Sequence, residues 1–347
     1  MNNIIKSILC LSVIAFASCN DWTEVESITI NNPSIEDSLD EGVYDKYLQN
    51  IRSYKQREHI IAYGYFDNSS EYPLNPSDKL DNLPDSLDYV SMKKSNLSLL
   101  QKEEMLEVRN KKGTKFLSSI VYSDILNEYN LASSENEQEN LDANDGFIEF
   151  LTQKVNEILE NSKSNEFDGL SIWYNPVSLE HLDEVTLAIE KTRQETFVGL
   201  INQWITENKD KIFIYEGNPE FLIDKSLLET AKYIVIHGEN LSSVYDYSAS
   251  VKSVLVDGVL NNKFILTVST YSLDSSDKKT GYVLNEDGEN VSAIYELAQW
   301  CLKNETGIEK CGMGIYNIKN DYFNPDIIYL NVRKAISVLN PSPYGGK

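Results

Sequence analysis

Histidine, cysteine and positive charge are all scarce in this chain, and each scarcity removes a class of function. The three histidines, His59, His181 and His237, stand far apart. No HExxH or paired-cysteine pattern accompanies them, so no metal site is predicted. A GxSxG elbow and a phosphate-binding glycine loop are also missing, which removes the serine-hydrolase and nucleotide-binding readings, and no cofactor is predicted. Lys and Arg number 31 against 54 Asp and Glu, a formal charge of −23. A chain of that sign repels a phosphate backbone, so nucleic acid is excluded as a partner. Acidity on this scale serves solubility instead. Beyond the N-terminus no apolar run approaches the roughly 20 residues of a spanning helix. No short internal repeat is present, which argues against a solenoid.

What is present begins with "MNNIIKSILCLSVIAFASCN". One lysine, Lys6, precedes an uncharged, largely apolar stretch from Ser7 to Ser18 that is too short to cross a bilayer, the form of a secretory signal over residues 1–18. Phe16, Ala17 and Ser18 ahead of Cys19 resemble the lipobox of bacterial lipoproteins, which implies that Cys19 is the lipidated first residue of the mature chain. An ordinary signal cut nearby is the alternative. From Asn20 to Asp45 there are eight acidic residues and no Lys or Arg, so residues 19–43 read as a solvated tether. Asp21 and Glu24, close behind Cys19, resemble the surface-export signal of Bacteroidetes lipoproteins, which implies an outer-membrane lipoprotein at the cell surface, held by its lipid. Cys10 leaves with the signal. Only Cys301 and Cys311 remain, and the sequence leaves open whether they form a disulfide.

Residues 44–347 are enough for one large barrel or two ordinary domains. Eight short apolar, β-rich runs alternate with longer helical patterns: "IIAYGYF" from Ile60, "LDYVSM" from Leu87, "KFLSSIVY" from Lys115, "DGLSIWY" from Asp168, "KIFIYEG" from Lys211, "YIVIHG" from Tyr233, "FILTVST" from Phe264 and "GMGIYNI" from Gly312. Helical spacing is clear over Gly146 to Ser162 and again from Val291. The alternation predicts an α/β fold, a (β/α)8 TIM barrel, whose binding groups sit at the C-terminal strand ends. The longest polar insertions follow the first, third and seventh strands and read as solvated loops around that face.

Along the fourth run, Ser171, Trp173 and Asn175 face one way and Leu170, Ile172 and Tyr174 the other. The apolar set suits the helix-packed outside, which sends the first set into the barrel with Asn175 nearest the mouth. "FDGLSIWYN" resembles the DGxDxDxE motif of glycoside hydrolase family 18, the chitinases and endo-β-N-acetylglucosaminidases. Asp168 and Gly169 match its opening, while its Asp, Asp and Glu positions fall on Ser171, Trp173 and Asn175. "YKQREHIIAYGYF" and "CGMGIYNIKNDY" resemble the first and last strands of the family's endoglycosidase-like members from Bacteroidetes.

In that family the Glu protonates the glycosidic oxygen and the preceding Asp orients the substrate's acetamido group, which acts as nucleophile. Asn175 has no proton to give, and losing a general acid typically costs about 10²–10⁴ in rate. The resemblance therefore implies a silent site, with no catalytic residue at Ser171, Trp173 or Asn175. Recognition is what remains. Trp173, Asn175, Tyr316, Tyr65, Glu216, His237 and Tyr271 end barrel strands and are the candidates for binding a glycan of N-glycan or chitooligosaccharide type. The expected role is a surface glycan-binding lipoprotein beside outer-membrane import proteins. Two alternatives stay open: an active endoglycosidase using a relocated carboxylate, Glu216, Asp124 or Glu128, and a protein-interaction scaffold that binds no sugar.

Overall fold

Alternate side chains on each barrel strand meet different neighbours, the helices outside and the barrel axis inside, and this alternation sets the register of the whole domain. The computed structural model describes residues 41–135 and 143–341, all within one compact unit, Pro33–Lys347. Eight parallel strands close the barrel: β1 (Ile61–Phe66), β2 (Tyr89–Met92), β3 (Lys115–Val121), β4 (Gly169–Tyr174), β5 (Ile212–Gly217), β6 (Tyr233–His237), β7 (Phe264–Ser269) and β10 (Lys310–Tyr316), which pairs back onto β1. Each coincides with one predicted run, with ends shifted by at most two residues.

The helices among the described residues are α1 (Glu41–Lys55), α2 (Leu99–Lys112), α3 (Tyr122–Glu135), α4 (Ala143–Ser164), α5 (Glu184–Glu207), α6 (Ser226–Thr230), α7 (Tyr245–Ser253), α8 (Ala293–Leu302) and α9 (Leu330–Leu339). Local chemistry fixes several ends. Ser98 and Gln101 form a reciprocal capping box at the start of α2, and Gly113, at φ 74°, closes it with an N–H bond to Arg109. Asp183 caps α5 through the amides of Val185 and Thr186.

Leu170, Ile172 and Tyr174 pack with Phe147 and Leu151 of α4 and Phe197 of α5 in the outer core. Ile61, Tyr63, Tyr89, Leu117, Ile214, Val235 and Ile265 fill the barrel axis. Burial of each such side chain is worth about 1.5–3 kcal/mol, so a one-residue slip of β4, exchanging Ser171 and Trp173 for Leu170 and Ile172, would forfeit several such terms at once. The inward direction expected for Ser171 and Trp173 is the one observed.

Three expectations are corrected. The insertion after the third strand is α3 rather than a loop through its described part, because Ile125, Leu126 and Tyr129 recur at helical spacing and pack on the outer core. The insertion after the seventh contains a hairpin, β8 (Tyr282–Leu284) with β9 (Asn290–Ser292), anchored by buried Val283. The helical pattern from Val291 accordingly begins at Ala293. α1 starts at Glu41, inside the stretch assigned to the tether. Cys301 and Cys311 are free thiols, held near the carbonyls of Gly312 and Asn262 respectively. The predicted signal, Cys19 and nearly all of the tether lie outside the described residues. No helix among the described residues is long and apolar enough to cross a membrane.

Candidate functional site

Inward side chains change character from the bottom of the barrel to its mouth. Above the apolar layer lies the carboxylate of Glu216 of β5, a residue only 1% exposed. Its Oε1 accepts hydrogen bonds from the hydroxyls of Tyr63, at 2.7 Å, and Ser171. Its Oε2 accepts from the Tyr65 hydroxyl at 2.7 Å and from His237 Nε2 at 3.0 Å. Strands β1, β4 and β6 thus all donate to one residue of β5. A buried carboxylate is tolerated only when satisfied in this way. Burial, followed by the Glu216 charge, pushes the Tyr63 and Tyr65 phenols well above their usual pKa, so both stay protonated donors.

His237 donates its other nitrogen, Nδ1, to Glu239 at 3.2 Å, and Glu239 also accepts from Thr267. Burial pulls the imidazole pKa down, but bonds to Glu216 and Glu239 and their charges outweigh it and raise it to about 9. The ring is therefore a cation at neutral pH. Trp173 lies flat on it, centroids 3.9 Å apart and planes 7° from parallel, a cation–π contact that fixes the indole. Tyr316 stands edge-on to Trp173 at 6.4 Å, and 5.3 Å from Tyr65. No group of three or more His, Cys, Asp and Glu side chains among the described residues is arranged to hold a metal ion.

Over this floor opens a cleft of about 680 Å³. Trp173, Tyr65 and Tyr316 line it, together with residues the sequence reading had not singled out for binding: Asp78 from the loop after β1, Leu273 after β7, and Lys319 and Phe323 after β10. Asp124, at the start of α3, also lines it. The other candidates do not. Glu216 and His237 hold the floor from beneath. Tyr271 packs at a tilt against Tyr282 of the hairpin, ring centroids 4.5 Å apart. Asn175 is exposed just beyond β4, outside the cleft, with its amide oxygen tight against Gly217. Gly217 has φ 121°, and a Cβ there would collide with the Tyr174 carbonyl, so the β4 and β5 ends approach more closely than a side chain allows. The loop residues were missed because nothing in a polar insertion marks which of its side chains turns inward. Position after a strand was the only available signal.

A family model described as "Glycoside hydrolase family 18, BT1044-like" matches residues 23–338. The chain belongs to glycoside hydrolase family 18. Among solved structures, BT1044 in a selenomethionine form with a glutamate-to-glutamine exchange is 22% identical, with a TM-score of 0.61 over 90% of this chain and 97% of that one. An endo-β-N-acetylglucosaminidase from Cordyceps militaris in apo form is 18% identical, with a TM-score of 0.56 over 85% and 96%. A mutant of that enzyme in complex with fucosyl-N-acetylglucosamine-Asn gives 16% and 0.53 over 85% and 95%. At these identities the likeness is one of fold. No curated protein matches the sequence.

Set against the family 18 motif, β4 is divided. Asp168 accepts from Arg109 Nε at 2.8 Å, from Lys115 Nζ at 3.2 Å and from the Phe116 amide at 2.9 Å. A Cβ on Gly169 would collide with the Ile212 backbone, so only glycine fits. The matching half of the family 18 motif is thus a bracket at the bottom of the barrel. The three positions that depart from it lead to the mouth, where Ser171 and Trp173 join the Glu216–His237 floor.

Proposed function

We propose that this family 18 protein binds glycans without cleaving them, anchored at the cell surface by lipid on Cys19 and working beside outer-membrane import proteins. The observation that carries the reading is the cleft itself: five aromatic residues, Trp173, Tyr65, Tyr316, Phe66 and Phe323, line it at the barrel mouth, while the motif's general-acid position, Asn175, is exposed and not among its lining residues. Sugar rings present C–H faces to aromatic rings and hydroxyls to Asn, Ser and Asp, and both kinds of group line this cleft. The indole rests on His237, so ligand binding need not order it. That the Cordyceps militaris relative is named an endo-β-N-acetylglucosaminidase favours N-acetylglucosamine-containing chains as the first ligands to try.

The relocated-carboxylate reading now rests on Asp124. Glu216 is buried with all its donors in place, and Glu128 is paired with Lys154. Asp124 lines the cleft, which is the observation that keeps this second reading open. Calorimetry with N-glycans and chitooligosaccharides, with mass spectrometry of the same samples, separates the two. Binding without products is expected, and Trp173→Ala should weaken it by about tenfold or more, the scale of a lost stacking contact. Products that disappear in Asp124→Asn would instead establish an enzyme. Absence of binding to every glycan turns the case toward a protein-interaction scaffold. Metabolic labelling with a fatty acid tests the anchor: the label should be lost in Cys19→Ala.

A further inference from the structure

Charge in the cleft is unevenly compensated. Three aspartates, Asp67, Asp78 and Asp124, and two lysines, Lys93 and Lys319, line it. Lys319 pairs with Asp78 and also donates to the Asp67 carbonyl at 3.0 Å, and Lys93 sits 3.4 Å from the Asp67 carboxylate. Both lysines are therefore already engaged. Asp124 has neither ion pair nor hydrogen bond among the described residues. The floor adds to the imbalance, since one imidazolium, His237, faces two carboxylates, Glu216 and Glu239. Tyr316 registers the resulting field: burial first, then the charges of Glu239, Asp124, Asp67 and Glu216, raise its phenol above the usual value.

We propose that this cleft selects glycans with neutral ends and turns away those capped by an acidic sugar, with Asp124 as the specificity-determining group. The inference rests on the glycan-binding reading and deepens it to a substrate class. A free carboxylate beside aromatic rings suits a neutral sugar, because its oxygens accept from adjacent hydroxyls while the ring takes the C–H face. The same carboxylate repels a sialic acid, uronate or sulfate, and the positive charge of each lysine is already offset by a neighbouring aspartate, Asp78 for Lys319 and Asp67 for Lys93.

The test uses the purified full chain and three probes: a neutral, galactose-terminated biantennary N-glycan, the same glycan capped with sialic acid, and the methyl ester of the capped form, which keeps the bulk and removes the charge. Calorimetry should find the neutral glycan and the ester bound at least about tenfold more tightly than the acid, with the gap closing in high salt. Asp124→Asn should reduce the gap to about threefold or less. Equal or tighter binding of the acid overturns the proposal, as does an ester that binds as poorly as the acid, which would assign the discrimination to bulk. A gap that survives Asp124→Asn overturns the role of Asp124. Failure of all three probes to bind overturns this proposal and the N-glycan form of the glycan-binding reading, whereas indifferent binding of all three overturns only this one.

Discussion

The bottom and the mouth of β4 lie only a few residues apart and hold opposite halves of one family motif. At the bottom, Asp168 and Gly169 are retained, and their contacts are architectural: a carboxylate tying Arg109, Lys115 and the β3 backbone together, and a glycine that lets β4 press against β5. At the mouth, the carboxylates are gone. Negative charge still occupies the barrel there, but it comes from Glu216 on the neighbouring strand, whose Cα pairs with Trp173, and it is sealed beneath aromatic rings. Residues needed for the barrel to close cannot change without a large loss of stability. Those needed only for chemistry can be replaced once their buried partners are satisfied some other way.

The largest losses are expected at the bottom of β4. Gly169→Ala should destabilise the fold by about 3 kcal/mol or more, because the obstruction is backbone that cannot swing aside. Asp168→Ala should cost nearly as much, about 2–4 kcal/mol, by leaving Arg109 without its carboxylate. Denaturant unfolding reads both. At the mouth, Glu216→Ala strands four donors, and an unfolding loss of about 2–3 kcal/mol is expected together with weakened glycan binding as Trp173 loses its support.

The two ends also respond oppositely to pH. His237 is raised to about 9 in the folded protein, so its contribution is fully present below pH 6.5 and is lost as pH rises through 9. The destabilisation by His237→Asn should shrink across that window. Near the bottom, Lys55 donates to the Leu87 carbonyl and the Thr114 hydroxyl, at 2.6 and 2.7 Å. Burial outweighs Asp88 and Asp85 and lowers its pKa to about 7. The folded state binds fewer protons there than the unfolded chain, so stability relative to Lys55→Met should grow from pH 7 towards 10.5. Unfolding measured from pH 6 to 10 on the parent and both variants checks the two signs. The smallest effect is expected at Asn175. Because it is exposed outside the cleft, Asn175→Glu should shift stability by no more than about 0.5 kcal/mol and should produce no glycan cleavage by mass spectrometry.

Eight strands were legible in the sequence because a short, β-rich apolar run is a local signal that burial on both faces of a barrel strand enforces. The inward direction of Ser171 and Trp173 followed from the same rule. α3 was not legible, since its apolar residues are few and embedded in a polar stretch that resembles a loop until Ile125 finds the core. Asn175 illustrates a different limit. Alternation placed it at the mouth, but the strand ends at Tyr174, and beyond a strand end the period of two no longer constrains direction.

Residue identity and short-range periodicity were enough for the barrel, for the match of Asp168 and Gly169 to the motif's opening and for the absence of carboxylates at Ser171, Trp173 and Asn175. The tertiary structure alone decided that Glu216 is satisfied by Tyr63 and Ser171, which lie 153 and 45 residues away along the chain. It also decided that Trp173 lies flat on His237 and that Asp124 meets no counter-charge among the described residues. Such pairings arise when barrel closure brings distant strand ends and loops to one mouth, and no pattern within a strand or loop encodes which partner will be met.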